Sequence, residues 1–205
     1  MQLIFVRHGQ PQIVVTDDGS PADPPLSEIG NSQARAMAQL LEEEQIDELY
    51  VSPMKRALET IAPLAGALAL TPMVRHGLSE FDKNSTSYVP MEILKERDRE
   101  AWEKLNREFD PSTNSRLERF LIETVATIEA IVSENAGKNV VVVCHGGVIN
   151  SYLAHCLQYR SPNFMKFNVD YTSVTRILAS PAGHRSVLSV NERTHFRGKP
   201  ELILS

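Results

Sequence analysis

Two short runs of consecutive apolar residues constrain the fold more than any other feature of this sequence. They are LIFV at residues 3–6 and VVVVC at residues 140–144, and each is followed at once by polar residues that include a histidine. A continuous apolar run of this length is typical of a strand buried on both faces, as in a parallel sheet covered by helices. Because such sheets bind ligands beyond the carboxyl ends of their strands, the polar residues mark a candidate site.

Further strands alternate with helical patterns along the chain. The other predicted strands are ELYV, TPMVRHGLSEF and, near one edge of the sheet, YTSVTRILAS and RSVLSVNE. This alternation predicts an α/β fold with three α/β/α layers and a mostly parallel central sheet. A charge-rich segment at about residues 83–115 is predicted to form a small helical lid inserted mid-chain.

Local signals indicate where several helices begin and end. Ser27 is a suitable N-cap for the first helix, and Ser52-Pro53 is expected to open the second as N-cap and first helical residue. Pro63 is expected to kink or divide that second helix. Helices are also predicted over about 91–109 and 148–157, with a longer one between them.

Composition and charge bound the class of protein. The net charge of −5 argues against general nucleic-acid binding, which requires a densely basic surface. Cys144 and Cys156 provide neither a disulfide framework nor a zinc spacing, which fits a reducing compartment. The first apolar run is too short for a signal peptide, and no stretch approaches the roughly 20 apolar residues of a membrane span. We therefore expect a single cytoplasmic domain over residues 1–205, with neither nucleic acid nor membrane as a partner.

Residues that can carry chemistry follow four of the predicted strands. Arg7 and His8 follow the first, Arg56 lies one turn beyond the second, Glu80 follows a weaker strand, and His145 follows VVVVC. Two planar guanidinium groups match the geometry of a tetrahedral phosphoryl group. A histidine among them can attack phosphorus through a ring nitrogen and form a phosphohistidine. The constellation therefore predicts phosphoryl transfer from a small phosphorylated substrate, in a scheme that needs neither metal nor other cofactor.

Six motifs in register resemble the histidine phosphatase superfamily, whose fold is that of the cofactor-dependent phosphoglycerate mutases. They are VRHGQ, LSEIGNSQA, SPMKRALETI, LSEFD, VVCHGGVI and VNERTHF, and the match runs from residue 3 to about residue 196. The resemblance implies that His8 is the catalytic nucleophile and that Glu80 donates a proton to the leaving oxygen. It also implies that the phosphate-binding residues are Arg7, His8, Arg56 and His145. His145, if protonated, would also serve catalysis as a cation toward the phosphate.

Other residues near this constellation have competing interpretations. Asp82 is an alternative proton donor, because it lies only two residues beyond Glu80. In the second VRHG copy, at residues 74–77, the RHG part from Arg75 to Gly77 has no apolar run before it and is predicted to be a loop. Cys144 is expected to pack in the core, since neighbours on a strand point to opposite faces. A metal site among the histidines and the carboxylate is disfavoured, because the adjacent arginines would repel a cation.

Two enzyme classes share such a pocket, since phosphatases pass the phosphoryl group to water and mutases return it to a second hydroxyl. The mutases typically continue from the histidine-glycine motif with Glu-Ser and an Asn, whereas this chain has QPQIV at residues 10–14. We therefore predict a phosphomonoesterase that acts on a small phosphorylated metabolite through a covalent phosphohistidine. A phosphoglycerate mutase-type isomerase and a non-catalytic phosphoester-binding scaffold are the alternatives. The sequence predicts neither the physiological phosphoester nor the oligomeric state.

Overall fold

The computed structural model of the protein describes residues 1–108, 114–159 and 163–203. Within them, a six-stranded central sheet is accompanied by a small two-stranded one. The strands are β1 Gln2–Arg7, β2 Val14–Val15, β3 Glu48–Val51, β4 Met73–Val74, β5 Ser87–Tyr88, β6 Asn139–Cys144, β7 Val174–Ala179 and β8 Arg185–Glu192. The α-helices are α1 Glu28–Leu41, α2 Lys55–Leu68, α3 Met91–Arg97, α4 Arg99–Glu108, α5 Ser115–Glu134 and α6 Gly146–Leu157.

The central sheet has the strand order β4-β3-β6-β1-β7-β8. The first four of these strands are mutually parallel, β7 runs antiparallel to β1, and β8 runs antiparallel to β7. The predicted mostly parallel sheet is thus confirmed, and the two C-terminal strands lie at one side of it, as expected. No helix in the described part of the chain is both long and apolar enough to cross a membrane.

Successive residues of the central strands face opposite layers of the molecule. In β1, Leu3 and Phe5 join the core beneath α5 and α6, whereas Ile4 and Val6 join the core beneath α1 and α2. All four side chains are almost completely buried, which explains why this run is continuously apolar. Burial of each contributes about 1.5–3 kcal/mol. The three-layer arrangement predicted from the sequence follows directly from this alternation.

The second helix begins later than the sequence predicts, and it is continuous through Pro63. It begins at Lys55 with Met54 as its N-cap residue, so Ser52 does not cap it. The Ser52 hydroxyl instead lies 2.8 Å from a ring nitrogen of His145. Pro63 lies inside α2 without dividing it. Proline removes one helical hydrogen bond, but packing of the apolar face of α2 on the sheet outweighs that loss.

The mid-chain segment is less regular than its sequence pattern indicates. The strand predicted in TPMVRHGLSEF is confined to β4, and His76–Leu78 form a 3₁₀ turn. The single helix predicted over about 91–109 is divided into α3 and α4, because Asp98 between them adopts a non-helical backbone with φ of −147°. The end of that predicted helix lies outside the described residues. Immediately before these helices in the chain, β5 pairs antiparallel with β2.

Candidate active site

Two adjacent parallel strands deliver the two central histidines to the same place. Arg7 of β1 is in register with Cys144 of β6, so the residues that follow each strand emerge side by side. The rings of His8 and His145 have centroids 5.0 Å apart and are tilted by 58°. The amide of His8 also donates to the carbonyl of Cys144 at 2.9 Å, which continues the pairing beyond the strand ends.

The His8 ring is held in one orientation by its own backbone neighbour. Nδ1 of His8 lies 2.8 Å from the carbonyl oxygen of Gly9, and only 2% of the residue is exposed. Because a carbonyl oxygen can only accept, Nδ1 carries the proton and Nε2 of the neutral ring keeps its lone pair. Burial, followed by the charges of Arg56 and Arg7, lowers the pKa of His8 well below its usual value. The ring is therefore neutral near pH 7, with Nε2 available to attack.

Arg56 is a fully buried cation on the first turn of α2. Its Nη2 donates to Oδ1 of Asp82 at 3.0 Å, and its guanidinium carbon lies 4.7 Å from the ring centre of Tyr88. In the described part of the chain, its Nε and Nη1 are buried and have no hydrogen-bond partner. A buried guanidinium with unsatisfied donors is costly, and an anion that accepts from those donors would remove the cost.

Arg7 brings the second guanidinium to the same region from the end of β1. Its Nη1 donates to the carbonyl of Val169 at 2.7 Å, and its guanidinium carbon lies 4.0 Å from the ring centre of Tyr171. These contacts orient the side chain. Arg7 and Arg56 therefore approach His8 from separate elements, as the sequence predicts for a phosphoryl site.

His145 lies directly behind His8 at the N-cap of α6. It is completely buried, and its Nε2 lies 2.8 Å from Oγ of Ser52. Its Nδ1 has no hydrogen-bond partner among the residues that the structure describes. Burial, then the charges of Arg56, His8 and Arg7, lowers the pKa of His145 well below its usual value. His145 is therefore neutral near pH 7, whereas its role as a cation depended on a protonated ring.

Glu80 reaches the site from the loop that follows the 3₁₀ turn. Its two carboxyl oxygens accept from the backbone amides of Gly147 at 2.8 Å and Phe81 at 2.9 Å. Burial raises the pKa of Glu80, and the nearby charge of Asp82 adds to this, against the opposing effect of the two amides. A Cβ atom at Gly147 would lie only 2.3 Å from Oε1 of Glu80, so any other residue there would displace the carboxyl group.

A cavity of about 530 Å³ opens above these groups, a size typical of small-molecule sites. The polar residues at its base are Arg7, His8, Arg56, Glu80 and Asp82. His145 is not among the residues that line the cavity, but its ring lies beside that of His8, with the centroids 5.0 Å apart. The structure therefore brings the five sequence-predicted residues together, and it also brings in Asp82, the alternative proton donor.

Several contributors to the site carry no recognisable sequence signal. Oγ1 of Thr60 accepts from the Gly9 amide, and the backbone amide of Thr172 donates to the Arg7 carbonyl at 3.0 Å. Thr172 has a positive φ of 53°, which its sequence neighbours do not indicate. Met165 lines the cavity, although its local sequence is typical of packing. These positions depend on contacts between segments that are distant in the chain.

The two remaining sequence interpretations also have clear outcomes. In the second VRHG copy, Arg75 forms an ion pair with Glu134 at 2.7 Å, and His76 is exposed. Neither residue lines the cavity, and the segment predicted as a loop forms the 3₁₀ turn that follows β4. Cys144 is completely buried in the core, and burial raises the pKa of its thiol. It therefore has no thiolate character near neutral pH.

Fold and cavity together define a class of protein, namely a three-layer α/β protein with a buried arginine–histidine site at the carboxyl ends of its parallel strands. A sequence profile of the histidine phosphatase superfamily (branch 1) matches residues 3–192. The chain belongs to that superfamily, which confirms the resemblance drawn from its six motifs.

Relatives and solved structures agree with this assignment along almost the whole chain. A Schizosaccharomyces pombe protein named as a probable phosphatase is 28% identical, over 97% of this chain and 97% of its own. Phosphoserine phosphatase 1 of Hydrogenobacter thermophilus is 26% identical, over 96% of this chain and 94% of its own. The phosphoserine phosphatase of Entamoeba histolytica, solved as a variant with phosphoserine, has the same fold, with a TM-score of 0.72. The two chains are 23% identical, and the match covers 95% of this chain and 98% of the other. The family and its phosphatase-named relatives support a phosphoric monoester hydrolase.

Proposed function

We propose that this protein hydrolyses a small phosphomonoester through a covalent phosphohistidine formed on His8. The observation that carries the proposal is the buried Arg56 guanidinium, whose Nε and Nη1 have no partner among the described residues, at the base of the cavity that His8 also lines. A dianionic phosphoryl group would satisfy those donors and lie within reach of the Nε2 lone pair of His8.

The phosphoryl oxygens are held by donors from three elements. Arg7 and Arg56 supply the positive charge, and the unpartnered Nδ1 of His145 supplies a further donor. In this arrangement the Ser52 hydroxyl, whose Oγ accepts from the Met54 amide at 3.4 Å, donates its proton to Nε2 of His145. His145 then carries its own proton on Nδ1. Phosphoryl transfer depends mainly on such positioning and charge, since the transition-state charge spreads over the equatorial oxygens.

In the first step, Nε2 of His8 attacks phosphorus while the bond to the leaving oxygen breaks. Glu80 gives its proton to that oxygen, so the alcohol leaves neutral and Glu80 becomes a carboxylate. The raised pKa of Glu80 makes this proton available. The products of the step are an alcohol and a phosphoramidate at His8. The positive charge of the phosphorylated ring is tolerated because the transferred group is itself anionic.

In the second step, water attacks the phosphoramidate from the side that the alcohol has left. The Glu80 carboxylate accepts a proton from that water, the bond between phosphorus and Nε2 breaks, and inorganic phosphate leaves. His8 and Glu80 return to their starting protonation states, so atoms and protons balance over the cycle. The same carboxyl group acts first as acid and then as base.

We also propose that residues 83–115 form a lid on a single domain, and that this lid influences substrate choice. Residues from this segment that line the cavity are Ser85, Ser87, Tyr88, Val89 and Leu94. The pairing of β5 with β2 fixes one end of the segment against the rest of the chain. Exchange of the segment should therefore alter the ranking of substrates more than the hydrolysis of a simple aryl ester.

The function is tested with p-nitrophenyl phosphate, with and without a chelator and with vanadate as a phosphate analogue. Turnover that resists the chelator, falls with vanadate and is lost in His8→Ala supports the proposal. Isomerisation of phosphoglycerate that depends on a bisphosphate primer would instead identify a mutase. Binding of phosphoesters by the folded protein without turnover would identify a scaffold. Either of these two results would overturn the proposed hydrolysis.

A further inference from the structure

The chemistry of the cavity above the phosphoryl site differs sharply from that of its base. Resting on the proposed phosphatase function, we infer that the substrate is a phosphomonoester whose leaving group is uncharged, largely apolar and large enough to hold a ring. Two walls of the cavity, and the charges at its base, lead to this inference.

Apolar side chains from two separate segments face the cavity. One wall comes from the loop after the 3₁₀ turn, from β5 and from α3, and the other comes from the loop that follows α6. The side chains concerned are Phe81, Tyr88 and Leu94 in the first wall and Phe164, Met165 and Phe167 in the second. Three of these six are phenylalanine and one is tyrosine, so the walls favour contact with a flat or ring-shaped apolar group.

Both walls lie close to the phosphoryl site. Tyr88 contacts the Arg56 guanidinium, as described above. On the opposite wall, the terminal methyl of Met165 lies 4.0 Å from the position that a Cβ of Gly146 would occupy, and Arg7 Nε lies 3.8 Å from the same position. A leaving group attached to a phosphoryl group between the arginines would therefore pass between these walls.

The charges around the cavity disfavour a second anionic group on the substrate. Among the described residues that line it, the cations are Arg7 and Arg56, which the phosphoryl group itself requires. Asp82 and Asp170 also line it, and each is offset in part by an ion pair, Asp82 with Arg56 at 3.0 Å and Asp170 with Arg193 at 2.9 Å. A carboxylate on the leaving group would meet negative charge without a cation of its own.

Two hydrogen-bonding side chains of the cavity lining, those of Asn150 and Ser85, are already engaged, and two others, Ser87 and Asn168, are exposed. The Asn150 amide donates to the carbonyls of Gly146 and Phe167 and accepts from the Phe167 amide. The Ser85 hydroxyl donates to the Ser87 carbonyl. A sugar would lose its hydration without regaining these hydrogen bonds, which lowers its preference relative to an apolar group.

Three alkyl esters of similar intrinsic reactivity test the inference, namely ethyl phosphate, phenethyl phosphate and para-carboxyphenethyl phosphate. Because all three leave as primary alcohols, their kcat/KM values compare binding of the leaving group rather than its basicity. We expect phenethyl phosphate to exceed ethyl phosphate by about tenfold or more, as one ring in an apolar pocket provides. We expect the added carboxylate to remove most of that advantage.

Variants connect the preference to the two walls. Leu94→Ala and Met165→Ala, one from each wall, should lower the ratio of phenethyl to ethyl kcat/KM several-fold, mainly through KM. Leu188→Ala is the matched control, because Leu188 is an exposed leucine of β8 that does not line the cavity. It should leave the ratio unchanged. A ratio that is unaffected by both wall variants would contradict the assignment of the walls.

The outcomes separate this inference from the function on which it rests. If the protein hydrolyses all three esters but handles the carboxylated or the ethyl ester as well as the phenethyl ester, the leaving-group inference is wrong and the phosphatase function stands. If the folded protein hydrolyses none of them and also fails with p-nitrophenyl phosphate, the proposed function is wrong and the inference falls with it.

Discussion

The side chain of Thr60 connects the segment beside His8 to the helix that carries Arg56. Its Oγ1 accepts a hydrogen bond from the Gly9 amide at 2.9 Å and donates one to the Arg56 carbonyl at 2.6 Å. Thr60 is completely buried on α2. One hydroxyl group therefore fixes the spacing between the backbone beside His8 and the backbone of Arg56.

This relationship predicts that Thr60 positions the site without contacting substrate. Thr60→Val keeps the shape but leaves the buried Gly9 amide unsatisfied, at a cost of about 1–3 kcal/mol in the free energy of unfolding. We expect its kcat/KM to fall by about tenfold or more, since small misplacements of reacting groups are costly. Thr60→Ser keeps the hydroxyl and should retain most activity. Similar losses in both variants would show that packing, rather than the hydroxyl, matters.

Glu80 is predicted to be the acid, in preference to Asp82. Asp82 forms an ion pair with Arg56, whereas Glu80 has a raised pKa and can hold a proton. In Glu80→Gln, kcat/KM should fall far more for alkyl esters, whose leaving groups need a proton, than for p-nitrophenyl phosphate. Asp82→Asn should not show this dependence on the leaving group. The reverse pattern in the two variants would move the role to Asp82.

Gly147 tests the position of Glu80 from the opposite side. In Gly147→Ala the new methyl group would overlap Oε1 of Glu80 and displace the carboxyl group. We expect the same loss for alkyl esters as in Glu80→Gln, with the protein still folded. Gly66→Ala is the matched control, because Gly66 lies in α2 and a Cβ there would meet no other atom within 4 Å. It should preserve activity and stabilise the protein by about 0.5–1 kcal/mol. Full activity in Gly147→Ala would contradict the assigned contact.

The pH dependence of kcat/KM follows from two opposite pKa shifts. Activity requires neutral His8, whose pKa is lowered, so the rate should rise with pH well below the usual histidine range and be complete by about pH 6.5. It also requires protonated Glu80, whose pKa is raised, so the rate for alkyl esters should fall as pH rises above the usual carboxyl range. Glu80→Gln should lose only the falling limb. Because the wild-type protein and Glu80→Gln are compared on the same ester, the titration of the substrate affects both profiles equally. A falling limb that persists in Glu80→Gln would contradict the assignment.

The parts of the fold that have a regular apolar pattern could be predicted from the sequence. Continuous apolar runs identify β1 and β6 because their residues are buried on both faces, and the histidines after them could be placed together for the same reason. The start of α2 and the interruption at Asp98 could not be predicted. At those positions local preferences compete with tertiary contacts, such as that between Ser52 and His145.

The walls of the cavity were beyond sequence prediction for a related reason. Phe81 and Met165 are separated by more than 80 positions, and each has a local pattern typical of packing. Their common exposure to the cavity depends on how two loops meet above the sheet. Residues that support the site through the backbone, such as Thr172, give even less signal, because their hydroxyl and amide serve segments that are distant in the chain.

The most direct test of the account is to trap the phosphorylated intermediate. In Glu80→Gln the second step lacks its base, so p-nitrophenyl phosphate should give a rapid burst of phenolate followed by slow turnover. Quenching in base during the burst and mapping the peptides should find a base-stable, acid-labile phosphoramidate on His8, close to one per protein molecule. Turnover with no phosphate on His8 at any time, or with phosphate on another residue, would contradict the account.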